Sequence, residues 1–305
     1  ESSDGFLSPV SGGSPTSAIL RAAMSRMVCS SSPACSRIGT MIFSETVSEE
    51  IMEGAFVWSA GLGWMEWTGV RWKTSADESV IEAVRKWAVI RFTEVIKTGT
   101  DGTSRTRSEV IDGWRSVLSK GRLTAIVSLA RGIMKRDTED FDAHDHLINT
   151  TTGVVNLETG EILKPDPELL MTKITSGGYR PGYRHPDWDR ALDAIPEDLQ
   201  SWFQVRVGQA ITGKPTPDGT LVVLQGSGEN GKSAVSTDAL VPALGNYSGM
   251  ASAKLLSASK GNEHSTEIAD LRGQRLMIAE ELTEGRSLNV VVLKRIMDVG
   301  RIKVL

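Results

Sequence analysis

The run Gly226-Ser-Gly-Glu-Asn-Gly-Lys232-Ser233 is the feature that most narrows what this chain can be. It satisfies G-x-x-x-x-G-K-[ST] at every constrained position. The chemistry explains the spacing. Glycines let successive backbone N–H groups curl round an anion, a lysine neutralises the β and γ oxygens of a nucleoside triphosphate, and a serine hydroxyl completes a magnesium shell. On that logic Gly226, Gly228, Asn230 and Gly231 shape a site for ATP, Lys232 binds phosphate and Ser233 serves Mg2+. The flanks agree: Thr220-Leu-Val-Val-Leu224 predicts a buried strand entering the loop, and Ala234 to Leu244 predicts a helix whose N-terminus faces the anion.

Catalysis on such a site needs a further carboxylate at the end of a neighbouring buried strand. Arg275-Leu-Met-Ile-Ala279 followed by Glu280-Glu281 supplies one, 48 residues beyond Lys232, which leaves room for a helix, a crossover and a strand. Glu280 then serves magnesium with Ser233 and Glu281 polarises water, with the two roles exchangeable.

Upstream, residues 1–41 are rich in Ser, Gly and Pro and read as linker, with one short helix at Ala18 to Met27. Residues 42–213 read as a smaller α+β domain and residues 214–305 as an α/β domain built on the P-loop. Phe56 to Trp72 predicts strand, turn and strand, and carries four of the eight tryptophans, which either pack a small core or stack bases. Helices are predicted at Ser79 to Thr98, Arg107 to Leu118 and Leu123 to Lys135, a hairpin at Leu147 to Leu163, a Pro/Gly-rich loop at Pro165 to Trp188, and a helix at Pro196 to Ile211. Asp140-Phe-Asp142-Ala-His144-Asp145-His146 offers metal-ligating types, but no apolar strand precedes it and a solvated loop is expected.

The formal net charge is -4, so any nucleic acid must be gripped by a local patch or an oligomeric channel. Arg85 to Arg136 holds twelve Lys or Arg against four acids, which reads either as a solvated face or as a track for a DNA backbone. Cys29 and Cys35 form neither a disulfide framework nor a zinc spacing, and a reducing compartment is expected. No apolar run reaches the length of a membrane span. The chain begins at Glu1 without an initiator Met, so a leader or an upstream domain is compatible with it.

Taken together these residues resemble the superfamily-three helicases, specifically the phage, plasmid and poxvirus primase-helicase family. The resemblance rests on the loop form with Asn230 before Gly-Lys-Ser, on the acid pair Glu280-Glu281, and on the upstream spacings Trp64-x-x-Trp67-x-Gly-x-x-Trp72, Leu147-Ile-Asn-x-x-x-Gly153-Val-Val-Asn-Leu157-x-Thr159-Gly160 and Tyr179-x-Pro181. It implies a partial AAA+-like ATPase core preceded by the family's accessory domain. It also implies ATP hydrolysis coupled to unwinding of DNA, assembly of the full-length protein as a homo-hexameric ring on single-stranded DNA or a replication fork, and residence in the cytoplasm of a bacterial host. Lys294, Arg295, Arg301 and Lys303 follow the acidic strand, where the family points basic residues into the ring channel. Met297-Asp298-Val299-Gly300 stands where the family has a Gly-Gly turn, and Leu305 precedes the family's sensor asparagine strand and arginine finger, so little hydrolysis is expected of residues 1–305 by themselves. The alternatives are an ATP-sensing loader or recruitment module that never turns nucleotide over, and a P-loop small-molecule kinase.

Overall fold

The computed structural model describes residues 44–99, 106–214, 218–226, 228–252, 256, 271, 273–279 and 287–297. The chain divides into two compact units, one formed within residues 1–66 and 74–138, the other within 67–73 and 139–305. The architecture is mixed α/β with small sheets.

In the first unit a helical segment at residues 44–47 widens into a π-helical turn at Ser48–Met52. Strands β1 (Phe56–Ser59) and β2 (Gly63–Trp67) pair antiparallel with Trp58 opposite Trp64. A third strand, β3 (Trp72–Ser75), completes the order β1-β2-β3. Three helices follow: α1 (Asp77–Thr98), α2 (Arg107–Val117) and α3 (Lys120–Ile133). Helix α2 starts on a capping box in which Thr106 and Glu109 satisfy each other's backbone N–H groups. Val80, Val84, Trp87 and Ala88 recur at helical spacing on α1 and meet Leu123, Ile126, Val127 and Ala130 of α3 around Trp64. Trp64 is therefore a core residue of this unit, while Trp72, in the second unit, is buried with its indole N–H donating to the Pro167 carbonyl at 2.8 Å.

The second unit is built on a hairpin. Strands β4 (Leu147–Thr150), β5 (Gly153–Asn156) and β6 (Ile162–Leu163) run antiparallel, with Ile148 opposite Val155 and Val154 opposite Leu163. Asn149 is fully buried, and its amide donates to the Val70 and Lys173 carbonyls at 2.8 and 3.1 Å. Phe141 to His146 is a loop, as expected, but Asp142 helps to hold the second unit together, because its carboxylate accepts the Thr172 and Lys173 N–H groups at 2.7 and 3.3 Å. Helices α4 (Pro186–Leu192) and α5 (Glu197–Ile211) follow.

Beyond Gly231 come α6 (Lys232–Val235), a π-helical turn at Ser236–Leu240, and α7 (Val241–Leu244). Strands β7 (Ser248–Ala251) and β8 (Leu276–Ala279) are parallel, with Ser248 opposite Leu276 and Ala251 opposite Ala279. Just before β8, the half-buried Arg275 donates to the carbonyls of Ile211 (2.8 Å), Leu147 (2.7 Å) and His144 (3.2 Å) and lies 4.7 Å over the Tyr247 ring. Burial pushes this guanidinium below its ordinary pKa. Helix α8 (Val290–Met297) is the last described element.

One expectation needs correction. Thr220 to Leu224 forms no strand: residues 221–224 join no ladder among the described residues, and Val223 is 74% exposed, so the apolar run has neither the hydrogen bonds nor the cover that a central strand requires. Parallel ladders are confined to β7 and β8 among the described residues, short of the open sheet expected of an AAA+-like core. The helix predicted for Ala234 to Leu244 is also not uniform, being split by its π-helical turn. Pro242 has no N–H to return to the preceding turn, which is why regular helix gives way just before it. The predicted linker and the Ala18 to Met27 helix lie outside the described residues.

Candidate nucleotide-binding site

The loop from Gly226 to Ser233 is packed from both sides. On its upstream side Arg206 of α5, only 16% exposed, forks onto Asp218 with contacts of 3.1 and 2.5 Å and stacks on Trp202 at 5.3 Å. The Arg206 guanidinium first, and the Thr220 contact second, hold the Asp218 carboxyl down at about 2. That clamp fixes the turn from which residues 218–224 run to the loop. On its downstream side Val235 is fully buried against Leu192, Ile195 and Phe203, with Ala194, Leu224 and Leu240 packed on the same cluster. Helices α4 and α5 thus carry the core beneath the loop and the helix that follows it.

Within the loop, Gly231 has φ +77°, a conformation costly for any side-chain-bearing residue, and a Cβ there would lie 2.6 Å from the Ala194 Cβ. At Gly226 an added Cβ would lie against the Asn230 amide, so the Asn230 side chain would have to move aside. Glu229 adopts φ +59° and completes the reversal of the chain. The Lys232 ammonium turns back across the loop and donates to the Gly226 carbonyl at 3.0 Å and to Asn230 Oδ1 at 2.6 Å. Ser233 is exposed at the first turn of the helix, where the Thr237 hydroxyl donates to its carbonyl at 2.9 Å. The Lys232 ammonium and the Asn230 side chain thus close over the start of the loop.

Gly226, Gly228, Asn230, Gly231, Lys232 and Ser233 are brought together in this one loop and helix start. Strand β8 forms where an acidic strand is expected, while Glu280 and Glu281 lie outside the described residues. Lys294 is exposed on α8 and Arg295 follows it on the same helix; Lys303 lies outside the described residues. Neither the Arg206 to Asp218 clamp nor the Ala194 contact has a signature in the sequence, because both depend on how α4 and α5 fold back on the loop. His144 and His146 meet edge to face at 6.0 Å, and among the described residues no group of three His, Cys, Asp or Glu gathers. Among the described residues no helix is long and apolar enough to cross a membrane.

Residues 46–196 match the family model described as D5 N terminal like, a domain found in phage, plasmid and viral primase-helicase proteins and associated with DNA replication. No curated protein matches the chain.

Proposed function

We propose that this chain is the ATP-binding portion of a phage- or plasmid-type replicative primase-helicase. In this reading ATP and Mg2+ held at Gly226 to Ser233 drive translocation on single-stranded DNA at a replication fork. The observation that supports the reading is the Lys232 ammonium folded back over the glycine-rich loop, with Gly231 at a positive φ at the helix start. A phosphate offers the Lys232 ammonium a charged acceptor in place of the Gly226 carbonyl and the Asn230 amide oxygen, and charge-assisted bonds are roughly twice as strong as neutral ones. Magnesium supplies neutralisation of the phosphate oxygens when bound. Ser233 and Glu280 are assigned to it and Glu281 to the attacking water, the two glutamates being exchangeable. The full-length protein is assigned a homo-hexameric ring with Lys294, Arg295 and Lys303 towards the DNA, in the cytoplasm of a bacterial host.

Thr220 to Leu224 favours a second reading for the chain by itself: without ladder hydrogen bonds behind the loop, nucleotide is bound and sensed without turnover. One series of measurements separates the possibilities. ATP with Mg2+ raises the thermal midpoint by mass action on the native state, and Lys232→Ala removes that rise. A version extended beyond Leu305 hydrolyses ATP with stimulation by single-stranded DNA, and Glu281→Gln stops turnover while binding persists. A rise unchanged in Lys232→Ala sinks the nucleotide site. A hydrolysis rate indifferent to DNA points to a kinase, and binding without hydrolysis to a sensor, rather than to a motor.

A further inference from the structure

The Pro/Gly-rich segment before α4 carries a feature that the nucleotide site does not use. Its near end is pinned to the hairpin: the Tyr179 N–H donates to Thr152 Oγ1 at 3.0 Å and the Thr152 hydroxyl donates to the Tyr179 carbonyl at 3.1 Å. Its far end is pinned to α4, where His185 Nδ1 accepts the Asp187 N–H at 3.1 Å and caps the helix. Between them Arg180-Pro181-Gly182-Tyr183 closes a tight turn, with the Tyr183 N–H donating to the Arg180 carbonyl at 3.1 Å. Proline in the second position and Gly182 at φ +72° in the third are what a type II turn requires.

That turn brings its two flanking side chains together. The Arg180 guanidinium sits 5.7 Å from the centre of the Tyr183 ring, and Tyr183 is 60% exposed. Tyr179, 38% exposed, immediately precedes Arg180 on the same loop. The acids nearby are already engaged: Asp189 accepts Arg184 Nε at 2.8 and 3.0 Å, and Asp187 is held by Arg190. Arg180 has no ion pair among the described residues and lies over one face of the Tyr183 ring, and His185 meets the same ring edge to face at 6.1 Å, so the exposed remainder of the ring stands beside a cation. A rigid turn presenting an aromatic ring next to a cation loses little conformational freedom on binding, which favours affinity.

We propose that Arg180 to Tyr183 is a stacking platform for single-stranded nucleic acid, with Tyr183 against a base and Arg180 on the adjoining phosphate, and Tyr179 extending the surface. A flat ring and a neighbouring cation complement a base and its phosphodiester, and only an unpaired strand presents a base face to stack on. The choice of a nucleic-acid strand over a protein partner rests on the function proposed above.

The test uses the full chain and a fluorescently labelled oligo-dT, read by anisotropy at low salt. Tyr183→Ala is expected to weaken binding by roughly ten-fold or more, the loss of one base–aromatic stack, while Tyr183→Phe, which keeps the ring, stays within about two-fold of the wild type. Arg180→Gln is expected to weaken binding and to reduce the salt dependence by about one phosphate contact. Both side chains lie on the surface, and an unchanged thermal midpoint confirms that the variants fold. Tyr183→Ala with wild-type affinity overturns the platform and leaves the loop to a protein partner, and a wild type that fails to bind oligo-dT at low salt overturns it as well. The ATP-induced thermal shift, read on the same samples, stands or falls with Lys232 and so distinguishes failure of the platform from failure of the nucleotide site.

Discussion

Tyr247 makes the stability of the second unit depend on alkaline pH in a way that can be worked through. The residue is 1% exposed; its hydroxyl accepts the buried Asn149 N–H at 3.1 Å and donates towards the Lys173 carbonyl at 3.4 Å. Burial pushes the phenol up to about 12, although the Asn149 N–H and the Arg275 guanidinium favour its ionised form. In the unfolded chain a tyrosine ionises near 10, so between about pH 10 and 12 the unfolded state has released a proton that the folded state still holds. Stability is therefore fully present below pH 10 and falls as pH rises to the folded value. Two pH units at about 1.4 kcal/mol each give a loss of roughly 3 kcal/mol. Tyr247→Phe abolishes this loss but leaves the Asn149 N–H without its acceptor, at a cost of about 1–3 kcal/mol at neutral pH. Urea unfolding of both proteins at intervals from pH 8 to 12 should show the variant less stable at pH 8 and the two curves converging as pH approaches 12. A gap between them that stays constant across that range would refute the burial of the phenol as the source of the effect.

Gly231→Ala should lose the ATP-induced thermal shift and destabilise the chain by about 1–3 kcal/mol, because φ +77° and the Ala194 contact both oppose a side chain, whereas Gly228→Ala, with nothing within 4 Å, should keep its midpoint in the absence of nucleotide. Asp218→Asn should lower the thermal midpoint by an amount that is steady above about pH 5 and vanishes as pH falls from about 4 towards 2, since the Arg206 contact is present above the ordinary carboxylate range and is lost through the depressed value; a difference that persists at pH 2 would count against the clamp. In the extended protein, changing Lys294 and Lys303 to Ala should flatten the salt dependence of single-strand binding by about two phosphate contacts, and equal slopes would remove these lysines from the DNA path.

Periodicity in the sequence is enough to find α1, α2 and α3 to within three residues of their ends, since each buries one apolar stripe and its neighbours do not compete for it. The hairpin from Leu147 to Leu163 is equally legible from its turn residues. Thr220 to Leu224 is not, because an apolar run shows only a capacity for burial, and strand formation depends on a partner elsewhere in the chain. The basic stretch from Arg85 to Arg136 misleads in another way. Several of its arginines are met by acids lying before it in sequence, with Arg85 on Glu82, Arg91 on Glu50 and Arg131 on Asp77, so a linear count overstates the charge they present. In the loop from Gly226 to Ser233 the glycines and Lys232 are readable because they form one contiguous motif; Arg206, Asp218 and Ala194 are not, because only the fold makes them neighbours. The Arg180 to Tyr183 turn is visible as a Pro-Gly signal, but the exposure that gives it interest appears only in three dimensions.

Arg275 has a mechanical consequence. A guanidinium is planar and its donors are fixed relative to one another, so the carbonyls of Leu147, His144 and Ile211 are held in a set triangle around one residue at the start of β8. The hairpin that begins at Leu147 lies within the stretch matching the D5 N terminal like family, while β8 leads to the paired glutamates. A shift of β8 along its axis must either break charge-assisted bonds inside a partly buried setting or drag the hairpin and the end of α5 with it. Arg275 thus ties the start of the strand to the hairpin and to the end of α5.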